Sequence, residues 1–149
     1  MRKLFLVCGV LVFFSCKKEE VMPATPEITL LDAAPGLVHE FHDRVTLRFS
    51  YKDGDGDLGQ SDPDDYSLWV KDSRLASTDG YHIPPLAPLD AEVPIQGQLE
   101  VELTTLFLLG SSGEEVMTYT FQIVDRAGNR SNSITTPPIT IVADSLGGE

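Results

Sequence analysis

Six aspartates, Asp53, Asp55, Asp57, Asp62, Asp64 and Asp65, crowd one stretch of the chain with no lysine or arginine between the first and the last. Carboxylates confined to one loop repel each other unless a cation stands among them. Gly54 and Gly56 alternate with the first three, and glycine lets the backbone curl until successive side chains converge. Calcium takes six to eight oxygens, and alternate aspartates together with turn carbonyls can supply them. The stretch therefore predicts a structural calcium site that stiffens its own loop.

Compared with an EF-hand, Asp53, Asp55 and Asp57 take the first three ligand positions. Leu58 stands where glycine is required, and Asp64 where a longer glutamate belongs. No helical pattern flanks the string, so the expectation is EF-like ligands on a β scaffold. The affinity expected of an extracellular module is about 10⁻⁴ to 10⁻³ M. The plainer alternative is a solvated Asp-Gly bend.

A second acidic turn, Asp125-Arg126-Ala127-Gly128-Asn129, lies far downstream. In a sandwich of immunoglobulin topology, the loop after the second strand and the loop between the last two emerge at one end. That arrangement would place Asp125 and Asn129 beside Asp53, Asp55 and Asp57. Asn129 would then add a neutral oxygen or simply cap its turn.

Other chemistry is sparse. His39-Glu40-Phe41-His42 falls one residue short of the spacing that brings two zinc-binding imidazoles to one helix face. His82 is solitary, and neither a Gly-x-Ser-x-Gly elbow nor a phosphate-cradling glycine loop occurs. No enzyme is expected, a small secreted metal-dependent hydrolase being the catalytic runner-up. Trp69, Tyr81 and the proline-rich residues 84–94 suggest an apolar platform for a glycan or protein. The plainer alternative has Trp69 packed beneath that crossover.

The elements that would carry these groups repeat with period two, not 3.6. Residues 28–31 form a short first strand. In 44–52, Val45, Leu47, Phe49 and Tyr51 alternate with Thr46, Arg48, Ser50 and Lys52. Residues 66–71 make a third strand, 81–83 an edge strand, and Leu99, Val101 and Leu103 another. Met117, Tyr119, Phe121 and Ile123 line one face of a single strand, and Ile134 with 139–142 closes the sheet. Pro84, Pro85, Pro88 and Pro94 keep their segment out of a sheet interior. The pattern predicts an all-β sandwich of immunoglobulin-like or fibronectin-like type, of about seven strands, over residues 27–143, with a small barrel as alternative and a frayed tail at 144–149.

The 149 residues carry a net charge of −12, which argues against nucleic acid as a partner, since phosphate-binding surfaces need clustered lysine and arginine. Arg2 and Lys3 precede an apolar run over 4–14, too short to span a bilayer and suited to a signal peptide over 1–15. Phe13-Phe14-Ser15-Cys16 resembles the lipobox of bacterial lipoproteins, which implies lipidation of Cys16 and anchorage in a membrane. With Cys8 removed and Cys16 acylated, no thiol is left for a disulfide or a metal. Residues 16–26 read as a proline-containing tether.

Lys18-Glu19-Glu20 is similar to the signal that sends Bacteroidota lipoproteins to the exterior of the outer membrane, the periplasmic face being the alternative. Residues 49–59 and 123–132 together resemble a group of uncharacterised Bacteroidota lipoproteins with an immunoglobulin-like domain. Asp125-Arg126-Ala127-Gly128-Asn129 is similar to the Asp-x-Ala-Gly-Asn hairpin of bacterial immunoglobulin-like repeats. These resemblances imply a surface-displayed adhesion-type binding module, with an accessory role in an outer-membrane nutrient-uptake complex as alternative. They name no protein or glycan partner.

Overall fold

The computed structural model describes residues 21–144. The signal peptide expected at 1–15, Cys16, the start of the tether expected at 16–26 and residues 145–149 of the expected tail lie outside the described residues. Those residues hold no helix, and so none long and apolar enough to cross a membrane.

Ten strands occur: β1 (Glu27–Ala34), β2 (Leu37–His39), β3 (Thr46–Asp53), β4 (Leu68–Asp72), β5 (Asp79–Tyr81), β6 (Ile95–Glu102), β7 (Glu114–Met117), β8 (Tyr119–Ile123), β9 (Ile134–Thr135) and β10 (Ile139–Val142). They form three sheets, ordered β1-β3-β6, β2-β10-β7 and β5-β4-β8-β9. All pairings are antiparallel except β2 with β10.

The count exceeds the expected seven for two physical reasons. The single strand expected over Met117 to Ile123 breaks at Thr118, so that β7 pairs with β10 while β8 pairs with β4 and β9. Ser73 bridges the gap, its N–H donating to the Thr118 carbonyl at 3.0 Å and its hydroxyl accepting from the Thr118 N–H at 3.0 Å. Thr136 does the same between β9 and β10: its hydroxyl accepts from the Tyr119 N–H at 3.0 Å and its own N–H donates to the Tyr119 carbonyl at 2.9 Å. β2 is the other addition. It buries only Val38 between exposed Leu37 and His39, too short a run to show a period.

β1 is also longer than expected. A register shift between Leu30 and Asp32 leaves Leu31 exposed, and pairing with β3 resumes as far as Ala34. Such a bulge lets a strand continue past a break in alternation.

The core lies between β1-β3-β6 and the other two sheets. Leu47 and Phe49 of β3 face Leu68 and Val70 of β4 and Phe121 and Ile123 of β8 within one buried cluster. The Phe49 and Phe121 rings meet with centroids 5.4 Å apart. Val38, Met117, Ile139 and Ile141 extend the cluster beneath β2-β10-β7. Inward alternation along β3 runs Leu47, Phe49, Tyr51 and then Asp53. Along β8 it runs Tyr119, Phe121, Ile123 and continues to Asp125 just past the strand end. The periodicity that builds the core thus also points two carboxylates into it.

Candidate metal centre

Asp53 ends β3 and is 0% exposed; Asp125 follows β8 and is 2% exposed. Each stands four residues beyond one of the two touching phenylalanines, on strands of opposed sheets. Asp57 joins them from the β3–β4 loop, and one carboxylate oxygen from each of the three lies within 4.8 Å of the other two. Asp55 borders the group closely enough for its charge to act on both Asp53 and Asp57.

Their hydrogen bonding sets these carboxylates apart from others in the molecule. Neither oxygen of Asp53, nor Oδ1 of Asp55, nor Oδ1 of Asp57 accepts a hydrogen bond from the described residues, although all four atoms are buried. Asp72, equally inward-facing on β4, has Arg74 Nη2 at 2.7 Å. The chain places a guanidinium against one buried aspartate and leaves these four oxygens of the other cluster without a donor among the described residues. An isolated buried carboxylate is costly and nearly always finds a partner.

Burial, then the charges of Asp55 and Asp57, push the Asp53 carboxyl up to about 6. Asp57 is raised chiefly by burial, against the lowering effect of the Ala127 N–H. Crowded like charges leave two remedies, protonation or a cation.

The remaining bonds fix the geometry. Asp57 Oδ2 accepts from the Ala127 N–H at 2.9 Å and its carbonyl from the Arg126 N–H at 3.2 Å, pinning the loop to the Asp125 turn. Asp125 accepts from the Asn129 N–H at 2.7 Å through Oδ1 and from Asn129 Nδ2 at 2.9 Å through Oδ2. Arg126, the nearest basic side chain, spends Nη1 on the carbonyls of Leu58 and Gly59 at 3.4 and 3.1 Å.

Two segments wall the loop. Residues preceding β1 cover Gly54, whose N–H donates to the Pro23 carbonyl at 2.9 Å. The proline-rich segment covers the rest, with Gln60 N–H to the Ile83 carbonyl at 2.8 Å and Leu86 N–H to the Leu58 carbonyl at 3.1 Å. Leu58, which disqualifies an EF-hand, is 1% exposed and anchors the loop in the core. A cavity of about 360 Å³ lined by Asp55, Asp57, Leu89, Ala91, Glu92 and Arg126 opens onto the cluster from outside. It offers the entry path a metal site needs.

Of the seven ligands expected from sequence, Asp53, Asp55, Asp57, Asp62, Asp64, Asp125 and Asn129, the structure gathers Asp53, Asp55, Asp57 and Asp125 here. Asn129 contributes by orienting Asp125. Asp62 and Asp64 do not join: both are exposed, and Asp62 Oδ1 accepts from the Asp64 N–H at 3.0 Å in a local turn. Their spacing made a side-chain turn of its own before it could reach the cluster. Glu92, on the rim, escaped sequence reading because it sits in an irregular segment with no local motif.

The expected aromatic platform is rearranged. Trp69 does not combine with Tyr81, which packs against the core and receives the Thr104 N–H at 3.2 Å on its hydroxyl. Trp69 instead meets Tyr66, with centroids 6.0 Å apart and rings at 85°. The proline-rich segment covers the acidic loop. His39 and His42 are exposed and reach separate carboxylates, Asp43 and Asp144, each at 2.8 Å.

No protein-family model matches the chain, and no curated protein matches it. Among solved structures, the chain is similar to a point mutant of the SrpA adhesin from Streptococcus sanguinis, at 19% identity and a TM-score of 0.38. The match covers 86% of this chain and spans 63% of that one.

Proposed function

We propose that this chain is a lipid-anchored cell-envelope domain of immunoglobulin-like fold, whose Asp53, Asp55, Asp57 and Asp125 hold one structural calcium ion, and that it serves as a surface binding module. The observation that carries the ion is the set of buried oxygens on Asp53, Asp55 and Asp57 that accept no hydrogen bond. An all-oxygen carboxylate set with no nitrogen or sulfur donor suits a hard cation such as calcium better than zinc. The ion would tie the β3–β4 loop to the turn after β8, adding to the Asp57–Ala127 bond. No catalytic role is assigned to it.

Support for the immunoglobulin-like topology comes from the strand order. Counting β7 with β8 and β9 with β10 as single interrupted strands reduces the ten to eight. A three-stranded β1-β3-β6 layer then faces a layer in which β2 lies parallel to the last strand. Anchorage through Cys16, and display on the outer face of the outer membrane, rest on the sequence features of residues 1–20.

Equilibrium dialysis of the full chain in detergent against radioactive calcium tests the ion directly. One ion bound per chain, lost in Asp53→Asn, is the expected result; no saturable binding would refute the site. For the anchor, Cys16→Ser should abolish labelling by radioactive palmitate, and labelling that persists would refute it.

A further inference from the structure

We propose that the outward face of β4 and β8 binds an acidic saccharide, through Trp69 as a stacking surface and Lys71 and Arg130 as an anion clamp. This rests on the reading of the chain as a surface binding module and assigns the class of its ligand.

The face follows from strand parity. Leu68 and Val70 turn inward, so Trp69 and Lys71 turn outward; Phe121 and Ile123 turn inward, so Thr120 and Gln122 turn outward. Cross-strand register sets Trp69 beside Gln122 and Lys71 beside Thr120. Together with Arg130 and Ser133 these side chains line a groove of about 340 Å³, at the small end of ligand-binding cavities.

The electrostatics of this groove oppose those of the molecule. The chain carries −12 overall, yet no carboxylate lines the groove. The described residues contain seven basic side chains. Arg44, Arg48 and Arg74 are ion-paired, and Arg126 bonds to backbone carbonyls. Lys52, Lys71 and Arg130 form no ion pair among the described residues, and two of these three meet in this groove. Unspent positive charge beside an aromatic ring suits an anion with an apolar face.

The aromatic is held in place for the purpose. Gly80 lies opposite Trp69 in β5, and a side chain there would drive into the Tyr66 ring. Its absence lets Tyr66 lie against Trp69 at nearly a right angle, supporting the indole from one side. Hydroxyl and amide groups from Thr120, Gln122 and Ser133 complete a surface matched to sugar hydroxyls. An acidic peptide would meet the same charges without using the flat ring.

Trp69 is the chain's single tryptophan, so its fluorescence reports this site alone. The full chain in detergent is titrated with a hyaluronan hexasaccharide (carboxylate), a heparin hexasaccharide (sulfate), maltohexaose (neutral) and pentaglutamate (peptide), once with calcium and once with EGTA. The expected result is a saturable emission change with at least one acidic saccharide, the first two arms telling carboxylate from sulfate. Neither maltohexaose nor pentaglutamate should match it. Arg130→Gln and Lys71→Gln, both exposed and folded by circular dichroism, should each weaken binding at least tenfold. Flat titrations with both acidic saccharides, an equal response to the neutral sugar or the peptide, or charge variants that bind like wild type would overturn the proposal. A response in either buffer stands whether or not calcium alters stability, so the two readings fail separately.

Discussion

Two buried aspartates, both facing inward near strand ends, are handled in opposite ways. Asp72 meets Arg74, which also reaches Glu115 at 2.6 Å; Asp53 has no cationic partner among the described residues and feels the charges of Asp55 and Asp57. Without an ion, Asp53 in its charged form opposes folding, and Asp53→Asn should raise the melting temperature of the chelated protein at pH 7 while removing any response to calcium. The pH dependence has a definite sign. The folded carboxyl, at about 6, holds its proton more tightly than the ordinary value of 3.8, so between these values the folded state binds more protons and stability falls as pH rises. Its contribution is full below pH ~4 and lost through pH ~6. Asp43 and Glu115, lowered by hydrogen bonds from His39 and from the Leu109 N–H, trend the other way. Denaturant melts of wild type and Asp53→Asn in EGTA at pH 4 and pH 7 isolate the effect. The stability of wild type relative to the variant should drop with pH, and a constant difference would contradict the account.

At the scale of elements, much was legible and the gaps have physical causes. Alternation over Val45 to Tyr51 located β3, and extending that parity one step would have identified Asp53 as buried. The break at Thr118 leaves no such mark, because inward parity continues unchanged from Met117 to Tyr119 while the hydrogen-bonding partners switch. That switch is held by side chains, and Thr136→Val should cost about 1–3 kcal/mol by leaving the buried Tyr119 N–H without its acceptor; equilibrium urea unfolding gives the number. The proline-rich segment lies outside a sheet interior, as its missing N–H donors require, but nothing in its composition marks it as the cover of the acidic loop. Gly59 records that cover: it has φ 87° and a side chain there would collide with the Pro84 carbonyl. Gly113, at φ 78° with open space around it, is the control. Alanine at Gly113 should cost roughly 1 kcal/mol and at Gly59 about 1–3 kcal/mol more, measured by the same unfolding curves. Equal costs would mean the segment does not press on the loop.

For the molecule as a whole, the two opposed layers converge at one end on a carboxylate cluster in which four buried oxygens accept no hydrogen bond from the described residues. A ligand bound only by the folded state stabilises it by about 2.7 kcal/mol at a hundred times its dissociation constant. For a domain of this size that corresponds to a rise of about 10 °C in melting temperature. No thiol is available in the described residues to provide a covalent alternative. The bond from the Gly54 N–H to the Pro23 carbonyl extends the consequence outward, since a stiffened loop also fixes the segment that leads into β1. The decisive measurement is the thermal melt of the full chain in detergent, first with EGTA and then with saturating calcium, for wild type and Asp53→Asn. The account predicts a calcium-dependent rise of about 10 °C in wild type and none in the variant; superimposed wild-type curves would contradict it.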